Sequence, residues 1–335
     1  MSQAKRPDFD LKNDVELLKK CSGVYGHAAK LQNLSPSTLK ARINQAIVRG
    51  LCTKELIDSF RIPKEQPTQL KKIEHKGRIE LEIDNGTVIV FSDAHWWPGL
   101  VSTAHRAMLK FIENMRPDAI ICNGDAFDGG AISRFPRIGW DNKPTVIDEL
   151  KAVDDRLGEI EALTKSNNLI WTLGNHDARY ETFLAARVPE FQGVNGFSLK
   201  DRYPRWKPAW SCWINPHHPN KVTPTVVKHR LRGGVHATHN NTVNAGTHIV
   251  TGHLHSLKVT PFNDYNGIRF GVDTGTAADP NGPQFLDYTE DSPKNHRSGF
   301  VVLTFRNGEL LWPEIVHVRN EDEGEIEFRG GIDYV

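Results

Sequence analysis

The sequence predicts an α/β layered body preceded by a small all-helical module. Three observations carry that prediction. Apolar residues recur at helical spacing in the first 60 residues, short β-branched runs alternate with helical stretches from residue 78 onward, and the charge balance reverses between the two parts. Residues 1–77 hold 15 Lys and Arg against 8 Asp and Glu, and the rest of the chain holds 27 against 33, so +7 faces −6. A basic module that meets a polyanion, joined to a body whose carboxylates serve metals, explains the split; Lys-rich solvated helices explain it equally well.

The elements follow in order. Val15, Leu17 and Leu18, then Leu39, Ile43, Ala46 and Ile47, mark helices between residues 14 and 60. Ser35 before Pro36 is a helix start, the hydroxyl capping and the proline taking the first helical position, and Gly50 sits where that helix should stop. Residues 1–62 are expected to form this helical domain, and 63–77, with two prolines and many charges, a linker. In the body, 78–335, strands are expected at Thr87–Phe91, Ala119–Cys122, Leu169–Leu173, Val226–Val227, His248–Val250, Ile268–Val272 and Phe300–Phe305. Helices are expected at Ala104–Met115 and Thr145–Asn167, and a closing hairpin joins Gly299–Arg306 to Glu309–Val318 through Asn307-Gly308.

Four of these strands run into polar clusters. They are Ser92-Asp93-Ala94-His95, Asn123-Gly124-Asp125, Gly174-Asn175-His176-Asp177 and Gly252-His253-Leu254-His255. In layered α/β folds ligands bind beyond the carboxyl ends of the strands. Mixed imidazole and carboxylate ligands favour Mn, Fe, Zn or Ni over calcium. In Asp93-Ala94-His95 and His253-Leu254-His255, alternate side chains reach one point if the strand end stays extended. Two cations about 3.5–4 Å apart can clamp both oxygens of a phosphoryl transfer. Each cluster alone is a weak signal; four in this order, each after an apolar run, are a strong one.

The order Asp-x-His, Gly-Asp-x-x-Asp, Gly-Asn-His-Asp, His, Gly-His-x-His resembles the calcineurin-like metallophosphoesterase superfamily over roughly residues 86–318. The resemblance implies a β-sandwich flanked by helices, with two divalent metals at the strand ends. Manganese is the first expectation, and iron, zinc, nickel and magnesium are the alternatives. It also implies that Asp93, His95 and His255 hold one metal, that Asp125 bridges, and that Asn175, His253 and one more histidine hold the second. His176 would act on the leaving group, positioned by Asp177, and a bridging hydroxide would attack in line. His229, after Val226-Val227, is the favoured further ligand, although Arg230 stands where the family has glycine; His236 is the runner-up, a phosphate or scaffold contact otherwise. Asp128 is either an orienting partner of a ligand histidine or a structural ion pair. His217, His218 and His248 are expected to do surface or structural duty. The stretch Tyr203–Trp213, dense in Trp and Arg, is expected to cap the site.

Residues 28–39 resemble the helix-turn-helix of recombinases and nucleoid regulators, with Ala28 or Ala29 at the helix crossing and Asn33 in the turn. The resemblance implies a recognition helix that presents Ser37, Thr38, Lys40, Arg42 and Gln45 to DNA; a helical docking module is the alternative. Four scattered cysteines without a Cys-x-x-Cys pair, an N-terminus lacking an apolar signal core and no ~20-residue apolar run point to a cytoplasmic protein with no membrane role. The first functional expectation is therefore a metal-dependent nuclease. The second is a phosphatase or phosphodiesterase on a phosphoprotein or small phosphoester, and the third a non-catalytic DNA-binding regulator.

Overall fold

The computed structural model describes residues 6–60, 77–135, 143–289, 292 and 294–335. The chain divides into two compact units, Met1–Lys71 and Lys72–Val335. Apart from Gly77, the expected linker lies outside the described residues.

The first unit holds α1 (Asp8–Lys20), α2 (Tyr25–Leu31), α3 (Pro36–Val48) and α4 (Lys54–Ser59). Leu11, Leu18, Ala28, Ala29, Leu39, Ile43 and Ala46 form its buried core. The two alanines let α2 approach its neighbours closely, and Asn33 takes the left-handed turn at φ 52°. Ser35 caps α3, its Oγ accepting from Thr38 N at 3.1 Å. On α3, Ser37, Thr38, Lys40 and Gln45 are exposed. Arg42 departs from the expected outward display: its Nη1 lies 3.7 Å from Asp14 Oδ2 and donates to Gln32 Oε1 at 3.4 Å, which turns the guanidinium inward.

The second unit runs β1 (Ile79–Leu81), β2 (Gly86–Phe91), α5 (Thr103–Met115), β3 (Ala119–Cys122), α6 (Val146–Leu163), β4 (Leu169–Thr172), α7 (Asp177–Arg187), α8 (Leu199–Arg202), β5 (Lys207–Ala209), β6 (Cys212–Ile214) and β7 (Thr225–Val227). It continues with α9 (Ala237–Ala245), β8 (His248–Thr251), β9 (Lys258–Asp264), β10 (Gly267–Asp273), α10 (Pro283–Thr289), β11 (Gly299–Arg306), β12 (Glu309–Leu310), β13 (Glu314–Asn320), β14 (Glu325–Phe328) and β15 (Gly331–Tyr334). One sheet has the order β15-β14-β13-β11-β2-β3-β4-β5, with β12 on β11, and the other β1-β6-β7-β8-β10-β9.

The period-2 geometry of a strand explains how the layers stack. Val88 and Val90 of β2 face the second sheet, where they meet Val227, Val250 and Val272 in the sandwich core. Ile89 and Phe91 face the other way, toward Ala107, Met108, Val153 and Leu157 of α5 and α6. Buried on both faces, β2, β3 and β4 pair in parallel and read as continuous apolar runs. The closing hairpin differs from expectation in one respect. Pro313 cannot donate to the ladder, so the return strand is broken into β12 and β13. Among the described residues no helix is long and apolar enough to cross a membrane.

Candidate metal centre

Five strands from both sheets point their carboxyl ends at one place: β2, β3 and β4 from one, β7 and β8 from the other. The residues just past those ends are the predicted ones. They gather into Asp93, His95 and His255, and into Asp125, His229 and His253, each trio offering ligand atoms within 4.8 Å of one another. A third trio, His95, Asp125 and His176, joins the two. Between the groups, Asp93 Oδ1 lies 3.0 Å from His255 Nε2 and 4.0 Å from both His95 Nε2 and His229 Nε2. Asp125 Oδ2 lies 3.0 Å from His229 Nε2.

The strand ends do not stay extended, so the condition for convergence by simple alternation is not met. Asp93, His95, Asp125, His253 and His255 all have φ between 37° and 73°. Non-glycine residues avoid this region, at a cost of order 1 kcal/mol or more each, and such backbone persists where its surroundings over-determine it. Here the surroundings are hydrogen bonds between strand ends: Asp93 N donates to Gly124 O at 2.8 Å, His95 N to Asp125 O at 2.9 Å, and His253 N to Asp93 Oδ2 at 2.8 Å. Two glycines permit the close approach. A Cβ on Gly174 would sit 2.0 Å from Asp125 Oδ1, and one on Gly252 would sit 2.5 Å from Asp93 Oδ2.

The Asp177 carboxylate accepts from the backbone N–H of Asp125, Ala126, Phe127 and Gly174 and from the Trp171 indole, at 2.8–3.2 Å. It therefore holds the two loops and does not touch the His176 ring, which corrects the expected pairing. The ring's partner is Asp128, whose Oδ1 lies 2.9 Å from His176 Nδ1 and 3.0 Å from His95 Nδ1. Asp128 thus orients two imidazoles at once and leaves their Nε2 atoms facing inward. His229 is fixed in the same manner, Nδ1 donating to Asn123 O at 2.8 Å. His236, the alternative to His229, is exposed at the start of α9, outside the three trios. His239 is also exposed, and His248 is buried against β10.

Two neighbours were not legible in the sequence. Arg179, one turn after His176 on α7, donates to Asp128 O at 2.8 Å and lies 3.1 Å from His176 Nε2. A guanidinium only donates, so that contact needs a lone pair on Nε2 and the proton on Nδ1. The i,i+3 spacing after Gly-Asn-His was the available signal. His296, whose ring centroid is 4.5 Å from that of His255, comes from a loop with no apolar run before it, and no spacing rule reaches it.

The electrostatics match a cation-binding cluster. Burial opposes ionisation of Asp93, but His255 and His229 overcome it and hold the carboxyl at about 2. Burial likewise opposes charge on His229, and the Asp125 and Asp93 carboxylates outweigh it, lifting the imidazole to about 10. Burial disfavours charge on His176 too, and Asp125 and Asp128 raise its pKa regardless. For His95 and His253 burial prevails and the pKa falls. The residues fit two divalent cations on a direct observation: among the described residues, His95 Nε2, His229 Nε2 and Asn175 Oδ1 are buried without a hydrogen bond. They belong to residue types that ligate such ions, and the two histidine nitrogens lie 3.0–4.0 Å from the Asp93 or Asp125 carboxylate, where a cation would replace the proton those carboxylates draw onto His229.

The chain is similar to several solved structures. The vacuolar protein sorting 29 structure from Cryptosporidium parvum is 13% identical, covering 75% of this chain and 100% of its own, with a TM-score of 0.41. Yfce, a phosphoesterase from E. coli, is 15% identical over 68% of this chain and 97% of its own, at 0.30. A dimetal phosphatase from Danio rerio is 11% identical over 73% and 99%, at 0.35. No curated protein matches the chain. The family model described as calcineurin-like phosphoesterase matches residues 86–271, more than half of the 335 residues and all five strand ends that build the cluster. The chain belongs to the calcineurin-like phosphoesterase family.

Proposed function

We propose that this chain hydrolyses phosphodiester bonds in DNA, with two divalent cations of the manganese type held at the strand ends. The observation that carries the chemistry is the pair of trios around Asp93 and Asp125, beside which His95 Nε2, His229 Nε2 and Asn175 Oδ1 are buried without a hydrogen bond. Asp93, His95 and His255 would hold one cation and Asn175, His229 and His253 the other, with Asp125 shared. When bound, the cations would supply Lewis acidity to the phosphoryl group and to an attacking water.

The chain's own residues do the rest. Asp128 holds His95 and His176 in one orientation, and Asp177 locks the backbone of the Asp125 and Asn175 loops. His176 Nε2, half-buried at the cluster's edge, is the atom that meets the leaving oxygen. Arg179 occupies that nitrogen in the structure; once it turned to the phosphate, His176, its pKa raised by Asp125 and Asp128, would take a proton from solvent at Nε2 and pass it to the leaving oxygen. Ser92, the hydroxyl beside the cluster, is buried and bonded to Asp93, Thr274 and Gly275 O, which favours direct displacement over a covalent intermediate.

DNA as the substrate is supported by the first unit. Its capped α3 exposes Ser37, Thr38, Lys40 and Gln45 behind a left-handed Asn33 turn, in keeping with a helix-turn-helix. The proposed compartment is the cytoplasm, where four unpaired thiols are stable.

The test is Mn²⁺-dependent cleavage of end-labelled single- and double-stranded DNA, run beside hydrolysis of bis-p-nitrophenyl phosphate. Cleavage of both substrate types is expected. Hydrolysis of the small diester with all DNA left intact would transfer the activity to a small phosphoester or phosphoprotein. No Mn²⁺-dependent hydrolysis of either would refute the catalytic reading. His176→Ala should lower turnover by roughly 100-fold, as expected for loss of a general acid, while Mn²⁺ affinity stays unchanged. Loss of bound Mn²⁺ in that variant would make His176 a ligand instead.

A further inference from the structure

Within the aromatic-rich segment 203–213, Tyr203 and Trp206 are buried, and Trp213 lies under the Arg78 guanidinium at 3.8 Å. Trp210 differs: it stands 50% exposed. Its position is nevertheless fixed, because Ala209 O, at the end of β5, accepts from Leu173 N at 2.8 Å. That bond ties Trp210 to the loop carrying Asn175. Across from it, β7 runs into Lys228, His229 and Arg230, where Lys228 N donates to Val250 O at 3.0 Å and Gly252 N to His229 O at 2.8 Å. Asn175, Trp210, Lys228, His229 and Arg230 line one groove of about 300 Å³. The groove therefore joins residues of the proposed metal centre to an exposed indole and two cations.

These groups are uncommitted. Among the described residues the Trp210 indole has no hydrogen-bond or ring partner, and neither Lys228 nor Arg230 pairs with a carboxylate. A flat apolar face beside two unpaired cations matches a nucleoside joined to phosphate, since every base offers a π face and its flanking phosphates take the cations. A phosphopeptide carries no obligatory ring for that face. We propose that this groove is the subsite for the nucleoside attached to the scissile phosphate, the base stacking on Trp210 and the adjoining phosphate meeting Lys228 and Arg230. The inference rests on the phosphoester reading of the metal centre, but not on the first unit.

Calorimetric titration of the full-length, Mn²⁺-loaded protein tests it. The ligands are thymidine 5′-monophosphate and 2-deoxyribose 5-phosphate, which share sugar and phosphate and differ in the base. The nucleotide should bind about tenfold more tightly, the scale of one base–aromatic stack. Trp210→Ala should erase the difference and Trp210→Phe should keep part of it. Lys228→Ala with Arg230→Ala should weaken both ligands alike and flatten their salt dependence. Equal binding of the two ligands to the unaltered protein, or a preference that survives Trp210→Ala, overturns the subsite and leaves the phosphoester reading standing. Failure of both ligands to bind overturns the two together.

Discussion

His248 and His253 stand at opposite ends of β8, and the comparison separates a structural histidine from a chemical one. At the amino end, His248 is buried and complete. Its Nδ1 accepts from Phe270 N at 3.1 Å, and its ring stacks on Phe270 at an interplanar angle of 15°. At the carboxyl end, His253 and His255 take left-handed backbone, and the rings of His253 and His229 meet edge-on at 5.3 Å. Nearby His95 Nε2 and His229 Nε2 are left without hydrogen bonds. At the amino end of β8 the imidazole is spent on the backbone of β10, whereas the carboxyl end holds strain and open valences together. Residue type is the same at both ends; what differs is whether neighbours have already satisfied it.

Breaking the carboxyl edge should have the largest effect. Asp125 is buried, accepts His176 N at 2.7 Å and faces His229 at 3.0 Å. Asp125→Asn removes the charge shared by both proposed cations, and losing one partner of a buried ionic cluster costs about 3 kcal/mol or more. Mn²⁺ affinity should therefore fall about 100-fold or further, read by calorimetry, with hydrolysis of bis-p-nitrophenyl phosphate falling at least as much. An unchanged affinity would remove Asp125 from the centre. Asp128→Asn should act more mildly. It touches no proposed cation and only orients His95 and His176, so a loss of roughly 10–100-fold in affinity or rate is expected. The circular-dichroism spectrum should not change. A variant as inactive as Asp125→Asn would mean that Asp128 is more than an orienting group.

The same contrast explains what the sequence could and could not reveal. Strands β2, β3 and β4 were legible because burial on both faces writes an unbroken apolar run, and the clusters after them were legible because each follows such a run. The sparse strands β5, β6, β14 and β15 were not, since three- and four-residue segments with exposed or mixed faces carry no periodicity. Asp93 and His95 were found, but their backbone was not foreseen. The spacing Asp-x-His is read from an extended chain, while the observed convergence comes from left-handed turns held by bonds to Gly124 and Asp125. The role of Asp177 was misjudged for a related reason: adjacency to His176 suggested a side-chain pair, yet the helix start turns Asp177 back onto five N–H donors. Arg42 shows the limit on the helical unit, where an outward face was expected and a contact with Asp14 across 28 residues of sequence draws the side chain in.

The amino edge gives the smallest and most specific effect. Burial, with Arg269 nearby, holds the His248 imidazole down at about 4, against roughly 6.5 in an unfolded chain. Because the folded value is the lower one, the unfolded state binds the proton first as pH falls. The stability His248 contributes is therefore complete above about 6.5 and is lost progressively down to about 4. Between pH 7 and 5.5 this amounts to about 1 kcal/mol, compounded by the Nδ1 lone pair that Phe270 N requires and protonation removes. His248→Gln keeps an acceptor and cannot titrate. Its urea midpoint should fall less than that of the unaltered protein between those two pH values, while Mn²⁺ affinity at pH 7 stays the same. Equal slopes would show that His248 is not the group being titrated. A change in Mn²⁺ affinity would show that the two ends of β8 are coupled, and the separation of structural from chemical histidines along this strand would fail.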